Sequence, residues 1–235
     1  MNILFDLDGT LTDPYRGITN CIAYALNRLG RPSPPPPSLK WCIGPPLMKS
    51  FARLLATDDD GRVQEAIALY RERFGSVGLF ENNVYDGIPD MLHAFQKGGH
   101  TLYVATSKPH IYADRIVDHF HLLPFFKRVY GSERDGRRSD KPSLLAYVLK
   151  RESIPAWDAV MVGDRKHDMI GARANGMIGL GVLWGYGPRE ELASSGARRC
   201  VATPQELIGV LKGQPIGLET ASISALAGQI QTDDL

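Results

Sequence analysis

Five short apolar runs recur along the chain, and several of them stop at a residue able to carry chemistry. They are "ILFDL" (3–7), "TLYVAT" (101–106), "KRVYGS" (127–132), "AVMVGD" (159–164) and "IGLGVLW" (178–184). Runs of this length, bounded by polar residues, read as strands buried on both faces, the habit of a parallel sheet. Amphipathic segments lie between the later ones. In "PSLLAYVLKRE" the residues Leu144, Leu145, Val148 and Leu149 share one helical face, and in "PQELIGVLK" Leu207, Ile208 and Leu211 do the same. Strands alternating with helices imply right-handed crossovers. The expectation is an α/β fold with a Rossmann-like three-layer core, a parallel sheet covered on both faces.

The rhythm breaks between the first and second runs. Residues 14 to 85 show only helical patterning, with Ile18, Cys21, Ile22, Ala25, Leu26 and Leu29 in one segment and Val63, Ala66, Ile67 and Tyr70 in another. That stretch is too long for a simple crossover. It reads as a small all-α cap domain (14–85) inserted into a core formed by 1–13 and 86–212, with a C-terminal extension at 213–235. Within the insert, "RPSPPPPSLKW" reads as a stiff surface connection between cap helices.

Charge and cysteine content narrow the function classes. Lys and Arg total 27 against 26 Asp and Glu, a formal net charge of +1, so no surface for a nucleic acid polymer is indicated. Cys21, Cys42 and Cys200 are odd in number and far apart, which suits neither a disulfide framework nor a zinc cluster. No apolar run approaches membrane-spanning length, and no basic segment precedes one at the N-terminus. A soluble, cytoplasmic protein without a membrane partner is expected.

The polar residues at the strand ends converge. Asp6 and Asp8 lie at the carboxyl end of the first run, Thr106 and Ser107 end the second, and Lys141 follows the third at a helix start. Asp164 ends the fourth, with Asp168 four residues on. Open parallel sheets bind ligands beyond the carboxyl ends of their strands. Clustered carboxylates without His or Cys companions suit a hard cation, and few ligands plus water and phosphate suit Mg²⁺. The cation would let a phosphate dianion approach a carboxylate that otherwise repels it. Lys141 and the Thr106 hydroxyl would hold phosphoryl oxygens. One aspartate could attack phosphorus, forming an aspartyl phosphate, while the other serves the leaving oxygen as proton donor. Gly9 would let the backbone turn tightly and expose amides there.

"FDLDGTLTD", "YVATSKP", the lysine of "RSDKPSLLAYVL" and "VGDRKHDMIGARANG" resemble, in order, the four signature motifs of the haloacid dehalogenase-like hydrolases. The match spans residues 3 to 212 and is nearest the phosphoglycolate phosphatase-like branch, whose helical cap follows the first strand. "CIGPPLMKSF" resembles that branch's cap loop, and "GVLWGYGPREEL" its last strand and following loop. The resemblance implies a Mg²⁺-dependent phosphomonoester hydrolase acting on a small phosphorylated metabolite. It makes Asp6 the nucleophile and a metal ligand, and Asp8 the acid/base that also gives its backbone carbonyl to the metal. Asp164 becomes the third metal contact, Asp168 its support, and Thr106, Ser107 and Lys141 the phosphate-binding residues. Asp13 is left to a turn at the cap hinge with Pro14.

Other readings stand beside these. Lys108 is a rival phosphate lysine, but its place beside Pro109 reads as a turn, and Lys141 has the motif order and the helix start. His167 reads as a solvated helix-start residue, and Arg137 and Arg138 as part of a solvated loop diluted by acids. A dehalogenase would lack Asp8, and a non-catalytic relative would have lost Asp6 or Lys141. A sugar phosphate mutase on the same fold would show activation by a bisphosphate. For the substrate, "IGPPL" and "YRERF", with Arg71 and Arg73, are the cap candidates. A small acid such as phosphoglycolate needs a cationic or amide-rich pocket; a nucleoside monophosphate, as for a 5'-nucleotidase, needs an aromatic or wider one. The chain is expected to act as a monomer or homodimer.

Overall fold

The structure, a computed structural model, describes residues 1–133 and 135–212, so the extension expected at 213–235 lies outside the described residues. The core carries β1 (Asn2–Phe5), α4 (Ile88–Lys97), β4 (Thr101–Pro109), α5 (His110–His119), β5 (Arg128–Ser132), α6 (Lys141–Glu152) and β6 (Ala159–Gly163). It continues with α7 (Lys166–Ala174), β7 (Ile178–Val182), α8 (Arg189–Ser194), β8 (Arg199–Val201) and α9 (Pro204–Leu211). The six strands form one sheet in the order β5-β4-β1-β6-β7-β8, with every pairing parallel. This is the α/β architecture that strand-helix alternation predicts.

Side-chain alternation along the strands builds the three layers. On one face Leu4, Tyr103, Ala105 and Met161 pack against Leu144, Leu145 and Val148 of α6 and Ala172 of α7. On the other, Ile3, Phe5, Val104, Val160 and Val162 meet Met91, Leu92 and Phe95 of α4, Ile116 and Val117 of α5, and Leu207 of α9. A sixth strand, β8, joins the five apolar runs. Its three residues are "RCV", and only Val201 is buried, so it carries no apolar run to read.

Chain order and register decide where function can sit. β1 is flanked by β4 on one side and β6 on the other, so the winding reverses there. Phe5 pairs with both Val104 and Val162, which sets Asp6 level with the ends of three strands. Asp6 N still donates to Val162 O at 2.9 Å.

Between β2 (Thr12–Asp13) and β3 (Asn83–Val84) the chain forms α1 (Tyr15–Arg28), α2 (Leu47–Leu55) and α3 (Asp60–Arg73). The two short strands pair antiparallel, Thr12 with Val84 and Asp13 with Asn83, so both crossings into the helical segment lie side by side. Ile22, Leu26, Phe51, Val63 and Tyr70 give these helices a buried apolar seam. The proline-rich stretch is mostly exposed, but its second half closes into a 3₁₀ helix over Pro36–Cys42. Proline at the first helical positions fits that turn, because its missing N–H would be unpaired there anyway.

Candidate active site

The loop after β1 is a tight turn closed on itself. Leu7 O accepts from Leu11 N and Thr12 N, and Gly9 N donates to Thr12 O at 2.8 Å. Gly9 has φ +83°, and a Cβ there would fall on the Asp164 carboxylate, so only glycine fits. The turn carries Asp8 beyond the end of the strand. Asp6 and Asp8 therefore do not share a strand face, and each finds its own cation.

Asp6 Oδ1 lies 2.9 Å from Lys141 Nζ. The same ammonium is 2.7 Å from Asp168 Oδ1 and donates to Ala105 O at 2.7 Å. The ammonium thus sits against two carboxylates and one backbone carbonyl. Its side chain is 2% exposed. Burial works against its charge, but the Asp168 and Asp6 carboxylates outweigh that and hold its pKa above the ordinary lysine value. Asp140 caps α6 by accepting from Ser143 N, which starts the helix at Lys141 and aims the side chain inward.

Asp8 Oδ2 lies 2.7 Å from Lys108 Nζ. Lys108 is not the solvated turn residue that its place beside Pro109 suggests: its side chain is only 7% exposed, and its ammonium stands 4.6 Å from the centre of the Phe74 ring. Strand β4 shifts register between Ala105 and Pro109, and this irregularity re-aims the Lys108 side chain. Burial raises the pKa of Asp8, opposed by the Lys108 ammonium.

Asp164 is fully buried. Tyr186 N donates to its Oδ2 at 2.9 Å, and the Thr10 hydroxyl sits 3.4 Å from its Oδ1. Burial first, then the Asp168 and Asp6 charges, push its pKa well above the usual carboxylate range. Asp168 is buried too; its Oδ2 accepts from Arg165 N at 3.1 Å, a box that starts α7. Its pKa is pushed up to about 6, by burial before anything else. One oxygen each of Asp6, Asp164 and Asp168 lie within 4.8 Å of one another. An all-carboxylate set of this kind fits a hard divalent cation, whose charge would relieve the crowding.

Thr106 is 2% exposed in the same strand as Lys108, and its Oγ1 accepts from Lys108 N. Ser107 is half-buried, and its carbonyl accepts from Ser132 Oγ at 2.9 Å. His167 is exposed on α7. Asp13 does close a turn, accepting from Tyr15 N, but it also accepts from the Tyr186 hydroxyl, which ties the cap hinge to the loop after β7.

On the cap side, Arg73 is engaged with Glu81 at 2.6 Å and with Cys21 Sγ, while Arg71 is exposed. The "IGPPL" loop reaches the core instead: Ile43 O accepts from Arg165 Nη1 at 2.7 Å, and Arg165 Nε donates to Glu191. Beside this contact opens a cavity of about 620 Å³, lined by Tyr15, Trp41, Tyr85, Trp184 and Tyr186 together with Lys40, Arg165 and Asp13. Its wall adjoins the acidic cluster, because Tyr186 N holds Asp164 and Trp184 Nε1 donates to Thr10 O at 2.9 Å. Sequence reading missed these aromatics. Trp184 and Tyr186 fall close together in "LWGYG", which is also how a core strand end looks, while Tyr15, Trp41 and Tyr85 are scattered along the chain.

The family model of the haloacid dehalogenase-like hydrolases matches residues 3–182. A 5'-nucleotidase of Pseudomonas aeruginosa is 49% identical over 191 residues, 81% of this chain and 86% of that protein. The tyrosine-protein kinase PtkA of Mycobacterium tuberculosis is 39% identical over 185 residues, 79% of this chain and 62% of that protein. A phosphoglycolate phosphatase of Pseudomonas fluorescens is 26% identical over 212 residues, 88% of this chain and 78% of that protein. In structure, a predicted phosphatase from Clostridium acetobutylicum superposes with a TM-score of 0.84 at 40% identity, covering 90% of this chain and 97% of that one. With the four motifs gathered at one sheet edge, the chain belongs to the haloacid dehalogenase-like hydrolases, as a hydrolase of phosphate monoesters.

Proposed function

We propose that this enzyme is a Mg²⁺-dependent phosphomonoesterase that works through an aspartyl phosphate on Asp6. The observation that supports this best is the buried Lys141 held between Asp6 and Asp168, next to the fully buried Asp164. Asp6, Asp164 and the backbone at Asp8 would hold the cation. Bound there, Mg²⁺ would supply positive charge against the phosphate dianion and the attacking carboxylate. Asp168 has its oxygens turned to Lys141 and to Arg165 N, so its role is to support Lys141 and the loop. Lys141 orients Asp6 and, with Thr106 and Ser107, faces the phosphoryl oxygens.

The steps follow from these placements. An oxygen of Asp6 attacks phosphorus as the bond to the leaving oxygen breaks, and Asp8 gives that oxygen its proton. Water then attacks the aspartyl phosphate, Asp8 takes a proton from it, and the Asp6 carboxylate is released with inorganic phosphate.

For the organic part of the substrate, the cavity favours a nucleoside monophosphate over phosphoglycolate. Five aromatic side chains around about 620 Å³ suit a planar base, which gains roughly 1–3 kcal/mol on stacking, whereas a two-carbon acid would leave most of them unused. The relative named a 5'-nucleotidase agrees with this choice. The test is a panel of phosphorylated metabolites with Mg²⁺. Nucleoside monophosphates should exceed phosphoglycolate in kcat/KM by at least about tenfold, and Trp41→Ala should remove most of that margin. A preference for phosphoglycolate that survives Trp41→Ala would reject the nucleoside reading.

A further inference from the structure

The lysine that sequence order sets aside, Lys108, lies nearer the acid/base chemistry than any motif implies. Its ammonium is 2.7 Å from Asp8 Oδ2, and its side chain is 7% exposed. Above it stands Phe74, which begins a π-helical turn of the cap (Phe74–Gly78) and is 4% exposed. That ring is itself held: it stacks on Tyr70 with centroids 5.2 Å apart and meets Tyr112 of α5 edge-on at 5.4 Å. The second oxygen of Asp8, Oδ1, is buried and has no hydrogen-bond partner among the described residues. A buried carboxylate oxygen left unpaired is costly, by about 1–3 kcal/mol or more, unless a bound group supplies the missing partner.

We propose that Lys108 is the positioning residue of Asp8: clamped under Phe74 when the cap is closed, it fixes Oδ2 and leaves Oδ1 turned to the leaving oxygen. This rests on the reading of Asp8 as acid/base. In the first half-reaction the proton passes from Asp8 to the leaving oxygen as the P–O bond to that oxygen breaks and the bond from Asp6 to phosphorus forms. The carboxylate so formed is balanced by the Lys108 ammonium. In the second, Asp8 takes a proton from the attacking water as the bond between Asp6 and phosphorus breaks. The cap thereby contributes to the chemical step through Phe74, which excludes water from an ion pair that solvent would otherwise loosen. The alternative role is direct contact between Lys108 and the phosphoryl group.

The experiment is a double-mutant cycle on the full chain with Mg²⁺, using Lys108→Met, Asp8→Asn and the pair. It reads kcat and KM for an alkyl phosphomonoester, kcat for p-nitrophenyl phosphate, and Ki for inorganic phosphate. Lys108→Met should lower kcat for the alkyl ester by about 10²-fold, with KM and Ki changed less than about threefold. Added to Asp8→Asn, it should cost nothing further. Lys108→Arg should recover at least about tenfold of the loss, the retained KM and Ki of Lys108→Met show that it folds, and Phe74→Ala should mimic part of the loss. A parallel rise in Ki for phosphate, or losses that add in the double variant, would overturn the positioning role and make Lys108 a phosphate ligand. An Asp8→Asn enzyme as active on alkyl esters as the parent would overturn the acid/base reading, and this inference with it.

Discussion

Lys141 Nζ stands 2.9 Å from Asp6 Oδ1, at the point where the first strand ends and a helix begins on the far side of the sheet. The contact joins the proposed nucleophile to a cation that is also packed against Asp168 and Ala105 O, so Lys141 holds Asp6 still as well as balancing its charge.

Replacing that cation should therefore damage both stability and activity. Lys141→Met leaves Asp6 and Asp168 buried without a counter-charge, and breaking such a network typically costs about 3–5 kcal/mol. Urea unfolding without divalent cations should show a loss of that order, and activity should fall by more than about 10²-fold. A variant as stable as the parent would mean that the ammonium is not what neutralises these acids.

Asp6 and Asp8 should fail differently. Asp6→Asn forms no aspartyl phosphate from any substrate. Asp8→Asn keeps the nucleophile and should release p-nitrophenol in a burst of at most about one per enzyme, because nitrophenolate leaves without a proton. Turnover then stalls, and the phosphorylated enzyme should be trapped by acid. A burst from Asp6→Asn would assign the nucleophile elsewhere.

Activity should require Mg²⁺, and Ca²⁺ should inhibit. Ca²⁺ accepts more ligands at longer distances and can engage both oxygens of Asp6, whereas Mg²⁺ takes one. Asp164→Asn should raise the Mg²⁺ concentration for half-maximal activity by more than Lys141→Ala does. Full turnover in excess chelator would remove the metal from the mechanism.

The cap loop should govern affinity through Arg165. Gly44 has φ +100°, and a Cβ there would come 2.7 Å from Arg165 Nη1, so Gly44→Ala strains the backbone and presses on the contact to Ile43 O. The expected outcome is a rise in KM for bulky substrates of about tenfold, with hydrolysis of p-nitrophenyl phosphate largely spared. Equal losses on both substrates would place the loop in folding rather than in substrate choice.

His100, far from the site at the start of β4, gives a pH test of stability. Burial first, and then the positive N-terminus, lower its pKa below the usual histidine value. A histidine lowered in this way favours the neutral form in the folded state. Its contribution is fully present above the unfolded value of about 6.5 and is lost as pH falls through the lowered folded value. His100→Gln should flatten the dependence of unfolding free energy on pH in the window extending below about pH 6.5. An unchanged slope would show that His100 titrates alike in both states.

The parallel sheet and the residues at its edge were legible in the linear chain, whereas the strand order was not. A buried parallel strand writes itself as an apolar run, and the residue following the run lands at the ligand edge whatever packs around it. For this reason Asp6, Thr106 and Asp164 could be assigned to that edge before any contact was known, and Lys141 to the helix start after the third run. β8 escaped because "RCV" is too short and polar to carry that pattern.

Pairings between segments distant in the chain belong to the folded molecule alone. Nothing in "TSKP" says that Lys108 turns under a phenylalanine of the cap to meet Asp8, because that depends on a register shift in β4 and on how the cap closes. Arg73, offered by the sequence as a substrate contact, is taken by Glu81, while Arg165, read only as part of a motif, reaches the cap loop. Local pattern encodes which backbone edge a residue occupies, since that follows from period and chain direction. Which charge meets which is set by three-dimensional packing, where burial makes an unpaired charge too costly to persist.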